Sequence, residues 1–281
     1  MANYEQKVIH TDRGSFEIFI SGNGKPLCIT HLYQEFSISG SAFADCLSPF
    51  YKVILVNLKM AGNSSKPRYS NELTMDETVK DLESIRTELG YTKWSFAGHS
   101  TGGFLGLTYA VSKPQVLDSL LLCDTSASKE FLHAEDCIYN FKTGKHRKEV
   151  SRIFFTLMLP FASKTKKGLA SKKLIELSLF QPERYNEYFS DRSLSKIIRK
   201  RMRAYNKDLK TYDVRDKLKY INFPTLILGG QYDVQCPIYF SKEMHKLIPD
   251  SKLVIFENSN HFPFVEEKES FLTAVREFNP I

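Results

Sequence analysis

Strand-like and helix-like stretches alternate along the first 124 residues of this chain, stop for about ninety residues, and then resume to the end. A chain that alternates in this way is constrained to a mostly parallel sheet with helices packed on both faces, because each parallel crossover must return over the sheet. Residues 7–10 and 16–20 read as paired strands joined by a turn at Asp12-Arg13-Gly14. Further strands are expected at 27–30, 53–56, 94–97 and 116–123, and again at 225–228 and 252–256. Helices are expected at 37–47, 74–89, 104–110, 238–247 and 268–278. The clearest is 74–89, where Thr74 and Glu77 suggest a capping box and Met75, Val79, Leu82, Ile85 and Leu89 recur at helical spacing. Gly90 is its expected stop.

The interruption, residues 125–213, shows only Lys-rich amphipathic helical stretches punctuated by Pro160 and Pro182, and no strand is expected there. Because the sheet resumes afterwards, the segment reads as a helical lid inserted into one α/β core made of residues 1–124 and 214–281. In such a core the functional loops lie at the carboxyl ends of the strands.

With 42% hydrophobic residues over 281 positions, the chain can bury one large core. Residues 1–14 lack an apolar stretch of signal-peptide length, and the longest apolar runs, such as 120–123 and 225–228, are far too short to span a bilayer. A soluble, cytoplasmic protein is expected. The five cysteines form no CxxC pair or zinc-ligand spacing, so neither disulfides nor structural zinc are expected. Of the 39 lysines and arginines behind the net charge of +7, ten lie in residues 142–173. No aromatic-rich RNA-binding pattern or DNA-reading helix accompanies them, so they read as a solvated helical face. Neither a nucleic-acid nor a membrane partner is expected.

The run Gly98-His99-Ser100-Thr101-Gly102-Gly103 contains G-x-S-x-G. A chain of this length matches that pattern by chance roughly one time in ten. Its placement makes it informative, since it directly follows the strand at 94–97 and directly precedes a helix. A serine on such a turn takes strained backbone angles that lift its hydroxyl above the sheet edge, and Gly98 and Gly102 keep neighbouring side chains away. The helix N-terminus beneath favours developing negative charge. Ser100 is therefore the candidate nucleophile.

A serine hydroxyl needs a base. Among the seven histidines (His10, His31, His99, His133, His146, His245 and His261), His261 follows the last strand and precedes the last helix, in a loop able to reach the turn at Ser100. His99, inside the turn, reads as a packing or hydrogen-bonding group. A carboxylate should hold the imidazole in its working tautomer. Asp233 lies just past the strand at 225–228, behind Gly229-Gly230, and gives the chain order Ser…Asp…His expected of this fold. Asp124 also ends a strand and is the rival; the Gly–Gly turn and the Pro-started helix that follows favour Asp233.

Together these positions resemble the α/β-hydrolase superfamily over nearly the whole chain. More narrowly, Gly230-Gln231-Tyr232-Asp233-Val234-Gln235-Cys236-Pro237 resembles the acid loop of proline iminopeptidases. Residues 57–67, with Gly62, Ser64 and Pro67, resemble their D-x-R-G-x-G-x-S-x-x-P loop, and residues 258–267 their histidine loop, with Asn260 where glycine is usual. The chain departs from that pattern at His31-Leu32-Tyr33, where Leu32 takes the place of glycine. It lacks the His-Gly-Gly-Pro-Gly run and the Trp after the nucleophile, and has Asn57 and Lys59 for the loop's first Asp and its Arg. The resemblance implies the N–H groups of Tyr33 and Thr101 as oxyanion-hole donors. An aminopeptidase would also need a carboxylate for the substrate ammonium, and Glu130, Glu135, Asp136, Glu176, Glu183 and Glu187 are all eligible.

The expected function is that of a serine hydrolase acting on a small-molecule ester or amide through an acyl-enzyme on Ser100, without metal or organic cofactor. Proline iminopeptidase-type aminopeptidase and carbon–carbon bond hydrolase are alternatives within the same chemistry. A serine at the turn argues against the dehalogenase and epoxide-hydrolase branches, which use aspartate. A ligand-binding receptor with a slow triad is the alternative of another class, suggested by the unusual His31-Leu32-Tyr33 run. Aromatic residues of the insertion (Phe131, Tyr139, Phe141, Phe154, Phe155 and Phe161) suggest an apolar pocket wall. The natural substrate and the oligomeric state stay open.

Overall fold

The computed structural model describes residues 2–159, 161–189 and 196–278. In chain order its strands are β1 (Glu5–Thr11), β2 (Gly14–Ser21), β3 (Pro26–Thr30), β4 (Gln34–Glu35), β5 (Lys52–Val56), β6 (Trp94–His99), β7 (Leu117–Cys123), β8 (Lys196–Ile197), β9 (Thr225–Gly230) and β10 (Ser251–Phe256). Its helices are α1 (Ala42–Leu47), α2 (Met75–Glu88), α3 (Thr101–Ser112), α4 (Arg147–Met158), α5 (Lys164–Glu176), α6 (Tyr185–Phe189), α7 (Arg199–Asp208), α8 (Ile238–Leu247), α9 (Pro263–Glu266) and α10 (Lys268–Phe278).

Among the described residues the main sheet has eight strands in the order β1-β2-β5-β3-β6-β7-β9-β10. Strands β5 to β10 of that order run parallel, while β1 and β2 form an antiparallel edge. The period-two alternation within the central strands explains why both faces are covered. Cys28, Ile54, Val56 and Phe96 point to a core shared with α2, α3 and α8 (Val79, Leu82, Leu107, Met244). Leu27, Ile29, Val53, Leu55 and Leu121 point to a second core shared with α1 and α10 (Phe43, Phe271, Val275). All five cysteines are buried. No helix of the described residues is long and apolar enough to cross a membrane.

Three local expectations are corrected. The helix expected at 37–47 begins only at Ala42, because Gly40 adopts φ +64° and Ser41 caps the helix by accepting from Ala44 N–H. The capping box on α2 is half formed. Thr74 Oγ accepts from Glu77 N–H at 3.4 Å, but the Glu77 carboxylate is drawn to Arg13 and Lys80. Finally, residues 125–213, where no strand is expected, do contain one. β8 pairs antiparallel with β4, a two-residue contact too short for side-chain periodicity to announce. It ties the segment between β7 and β9 to the loop that follows β3.

Candidate active site

Ser100 joins β6 to α3 with φ +53° and ψ −121°, a conformation that costs a non-glycine residue of order 1–3 kcal/mol and persists only where its surroundings enforce it. Its N–H donates to Cys123 O at 3.0 Å, and its carbonyl accepts from Thr125 Oγ1 at 2.9 Å. Close backbone approach explains the flanking glycines. A Cβ on Gly98 would stand 2.3 Å from the Gly102 carbonyl carbon, and one on Gly102 would stand 2.5 Å from Thr30 O. Thr101 is the first residue of α3, so its N–H has no carbonyl within the helix to bind.

His261 lies in the loop between β10 and α9, and its ring is buried. Its Nδ1 is 3.0 Å from both carboxylate oxygens of Asp233. That carboxylate also accepts from Gln235 N–H at 2.7 Å and Cys236 N–H at 3.0 Å. With Nδ1 donating to Asp233, Nε2 is the ring nitrogen left to accept a proton. Asn260, in the position where the resembling family has glycine, joins the two loops by accepting from Val234 N–H at 3.0 Å.

Asp124 is brought near the same loops but not to the histidine. Its carboxyl accepts from Gly230 N–H at 2.8 Å, and among the described residues it makes no hydrogen bond to His261. Burial and the neighbouring Asp233 push it well above the usual carboxylate range. His99 behaves as a packing and hydrogen-bonding group. Its Nε2 donates to His261 O at 2.8 Å, and its ring packs on Phe43, Phe262 and Phe264.

The loop after β3 is held unusually. Tyr33 N–H reaches His31 Nδ1 at 3.3 Å, and Tyr33 O accepts from Ile198 N–H at 2.7 Å. His31 Nε2 then donates to Thr101 Oγ1 at 3.0 Å. Burial, with His261 and Arg201 nearby, pulls the His31 ring down to about 3, so it stays neutral. Arg201, fully buried on α7, donates to Leu32 O at 2.5 Å, to Lys59 O at 3.4 Å and to Thr78 Oγ1 at 2.9 Å.

Sequence reasoning missed Arg201, since Arg199-Lys200-Arg201-Met202-Arg203 reads as a solvated basic face. It also missed two groups that hold the histidine loop. Ser178 O accepts from His261 N–H at 3.2 Å. The half-buried carboxylate of Glu266 accepts from Phe180, Asn260 and Phe262 N–H. Ser178 stands in no motif, and Glu266, although inside the histidine loop at 258–267, carries no mark there of this role.

Ser100, Thr101, Tyr33 and His261 line one cavity of about 1630 Å³, roomier than the ~300–1,000 Å³ of most small-molecule sites. Its outer wall comes from α4, α5 and α7. Phe131, Tyr139, Phe141 and Phe154 line it as expected, but Phe155 and Phe161 face away and are 66% and 98% exposed. None of the six carboxylates eligible for an ammonium site lines it. Among the described residues the one acidic lining group is Glu35, which is already bound to Lys196 at 2.9 Å and to Gly62 N–H.

A family model described as the alpha/beta hydrolase fold matches residues 18–268. A proline iminopeptidase of Saccharolobus solfataricus is 31% identical over 231 residues, covering 77% of this chain and 72% of that protein. The solved structure of an alpha/beta fold family hydrolase from Bacillus anthracis superposes with a TM-score of 0.94 at 38% identity, covering 98% of this chain and 99% of that one. An esterase from Exiguobacterium antarcticum superposes at 0.74 over 99% of this chain and 100% of its own; at 22% identity that likeness concerns the fold alone.

Proposed function

The chain belongs to the alpha/beta hydrolase family and is a hydrolase, and we propose that it cleaves carboxylic esters through an acyl-enzyme on Ser100, with His261 as base and Asp233 orienting it. One observation supports this reading above the rest. Ser100, held at φ +53°, opens into the same cavity as a histidine whose Nδ1 is engaged by a buried carboxylate. His261 Nε2 takes the Ser100 proton as Oγ bonds to the substrate carbonyl carbon. The carbonyl electrons move to oxygen, and the N–H groups of Thr101 and Tyr33 receive that charge. The carbon–oxygen bond to the alcohol then breaks, and His261 returns the proton to the leaving oxygen. Water, deprotonated by the same nitrogen, releases the acid and restores Ser100. In this reading residues 125–213 are a lid, with α4 and α5 as the apolar outer wall that receives the acyl group.

A second reading is an aminopeptidase acting on N-terminal proline, favoured by the Saccharolobus relative. It requires a free carboxylate for the substrate ammonium, and Glu35, bound to Lys196, does not offer one. The test is hydrolysis of p-nitrophenyl butyrate and proline p-nitroanilide by the wild-type chain and by Ser100→Ala. Ester turnover lost in the variant supports the proposal. Cleavage of the anilide alone replaces it with the aminopeptidase.

A further inference from the structure

The cavity wall formed by α7 has a stripe of its own. Arg199, Met202, Arg203 and Asn206 line the cavity at the i, i+3, i+4, i+7 spacing of one helix face, and Leu209 and Lys210 continue the stripe in the turn that follows. Arg201, buried on the side of the helix turned away from the cavity, fixes the helix's rotation. Lys129 adds a further cation beside this stripe, its Nζ donating to Lys210 O at 2.7 Å. Lys167 approaches from α5. Across the cavity α4 and α5 present Phe154, Leu157, Met158, Leu174 and Ile175. The apolar lining is thus concentrated on α4 and α5, and the cations, Lys167 excepted, on α7 and the residues beside it.

The cations are not used up by the protein. Among the described residues Lys167, Arg199, Arg203 and Lys210 have no ion-pair partner, whereas Lys196 is paired with Glu35. Unpaired cations at the edge of a low-dielectric chamber raise its potential, which concentrates anions and repels an ammonium group. Guanidinium groups four residues apart on one face, Arg199 and Arg203, suit the several acceptor oxygens of a carboxylate or phosphate.

We propose that this α7 wall binds an anionic group of the substrate, so that the esters cleaved here are amphiphilic, with an apolar acyl portion against α4 and α5 and a carboxylate or phosphate at Arg199 and Arg203. The inference rests on the reading of Ser100 as nucleophile for its chemistry, but its binding element can be tested without turnover.

The experiment measures binding of octyl phosphate, octanoate and octylammonium to the full-length Ser100→Ala protein by calorimetry at low salt. At least one anion is expected to bind ten-fold or more tighter than octylammonium, and the tighter of the two identifies phosphate or carboxylate as the group recognised. The double variant Arg199→Ala/Arg203→Ala should lower anion affinity about five- to ten-fold, the effect of losing one charge-assisted contact of about 1–1.4 kcal/mol. Both side chains are exposed, so the fold is expected to tolerate their loss. The charge reversal Arg203→Glu should shift preference toward octylammonium. Equal binding of all three amphiphiles, or anion affinity indifferent to both variants, overturns the proposal. Separately, the wild-type enzyme is offered the p-nitrophenyl monoester of glutaric acid beside p-nitrophenyl valerate. If neither is hydrolysed while anion binding still depends on the arginines, the acyl-enzyme reading fails and the anion site stands. If both are hydrolysed but binding ignores the arginines, the reverse holds.

Discussion

Arg201 donates from Nε to the carbonyl oxygen of Leu32 at 2.5 Å, joining positions 169 residues apart in sequence. The segment between β7 and β9 therefore holds the loop after β3 from outside, where the resembling family has glycine in place of Leu32. Lys196 bound to Glu35 and Ile198 N–H bound to Tyr33 O reinforce the same junction. The peptide from Leu32 to Tyr33, whose N–H is one proposed oxyanion donor, is fixed by α7.

Replacing Arg201 by lysine removes the planar fork that reaches three acceptors at once. Ester turnover is expected to fall about ten-fold in kcat with KM changed much less, because a donor to the transition state is displaced. Stability should fall by about 2–3 kcal/mol, the cost of leaving buried partners unpaired. Thr78→Val removes one of those partners without touching Leu32, so it should lower stability and leave kcat near wild type. Equal kcat losses in both variants would mean that Arg201 acts through stability alone.

Two buried histidines make stability depend on pH. His31 is pulled down to about 3, and His99 is also well below the ordinary histidine range, both chiefly by burial. Each stays neutral in the folded chain, while in the unfolded chain each takes up a proton near pH 6.5. Their contribution is therefore complete above pH 6.5 and is lost as pH falls from there toward the lowered folded values, at about 1.4 kcal/mol per pH unit for each histidine. Urea unfolding at pH 7, 6 and 5 should show this decline, and His31→Gln should flatten it by one histidine's share. An unchanged slope in that variant would contradict the assignment.

Asp124 and Asp233 are distinguished by conservative amides. Asp124 serves as an acceptor for Gly230 N–H, and the Oδ1 of asparagine can do the same. Asp124→Asn is expected to keep ester kcat within a few-fold of wild type. Asp233→Asn should lose about 10⁴-fold, since the amide presents its N–H to His261 Nδ1 and selects the wrong tautomer. Steady-state rates of the two variants decide the matter, and a larger loss at Asp124 would reverse the roles.

The sheet, and the residues proposed for the reaction, were legible because each lies in a local pattern. Ser100 sits between a strand and a helix, and Asp233 and His261 follow apolar runs that end at the sheet edge. What could not be read depends on which face of a helix meets the core. Arg201 and Arg203 are two residues apart in one basic run, yet Arg201 is 1% exposed and bound to Leu32 O, while Arg203 faces the cavity. Nothing local separates them; the packing of α7 against the loop after β3 does. The six carboxylates weighed for an ammonium site were indistinguishable for the same reason, and the cavity passes all of them by. Gly40 shows a different limit, since residues 37–47 carry a helical pattern that one backbone angle at φ +64° interrupts.

The central claim is a covalent acyl-enzyme on Ser100. Its most direct test is to mix the protein with p-nitrophenyl butyrate, follow p-nitrophenolate release in the first turnover, quench in acid, and map any acyl adduct by mass. The account predicts butyryl mass on the peptide containing Ser100, and in Ser100→Ala no adduct together with turnover reduced by roughly 10⁶-fold. Hydrolysis by Ser100→Ala at a rate near that of the wild type, or an adduct on a different residue, would contradict it.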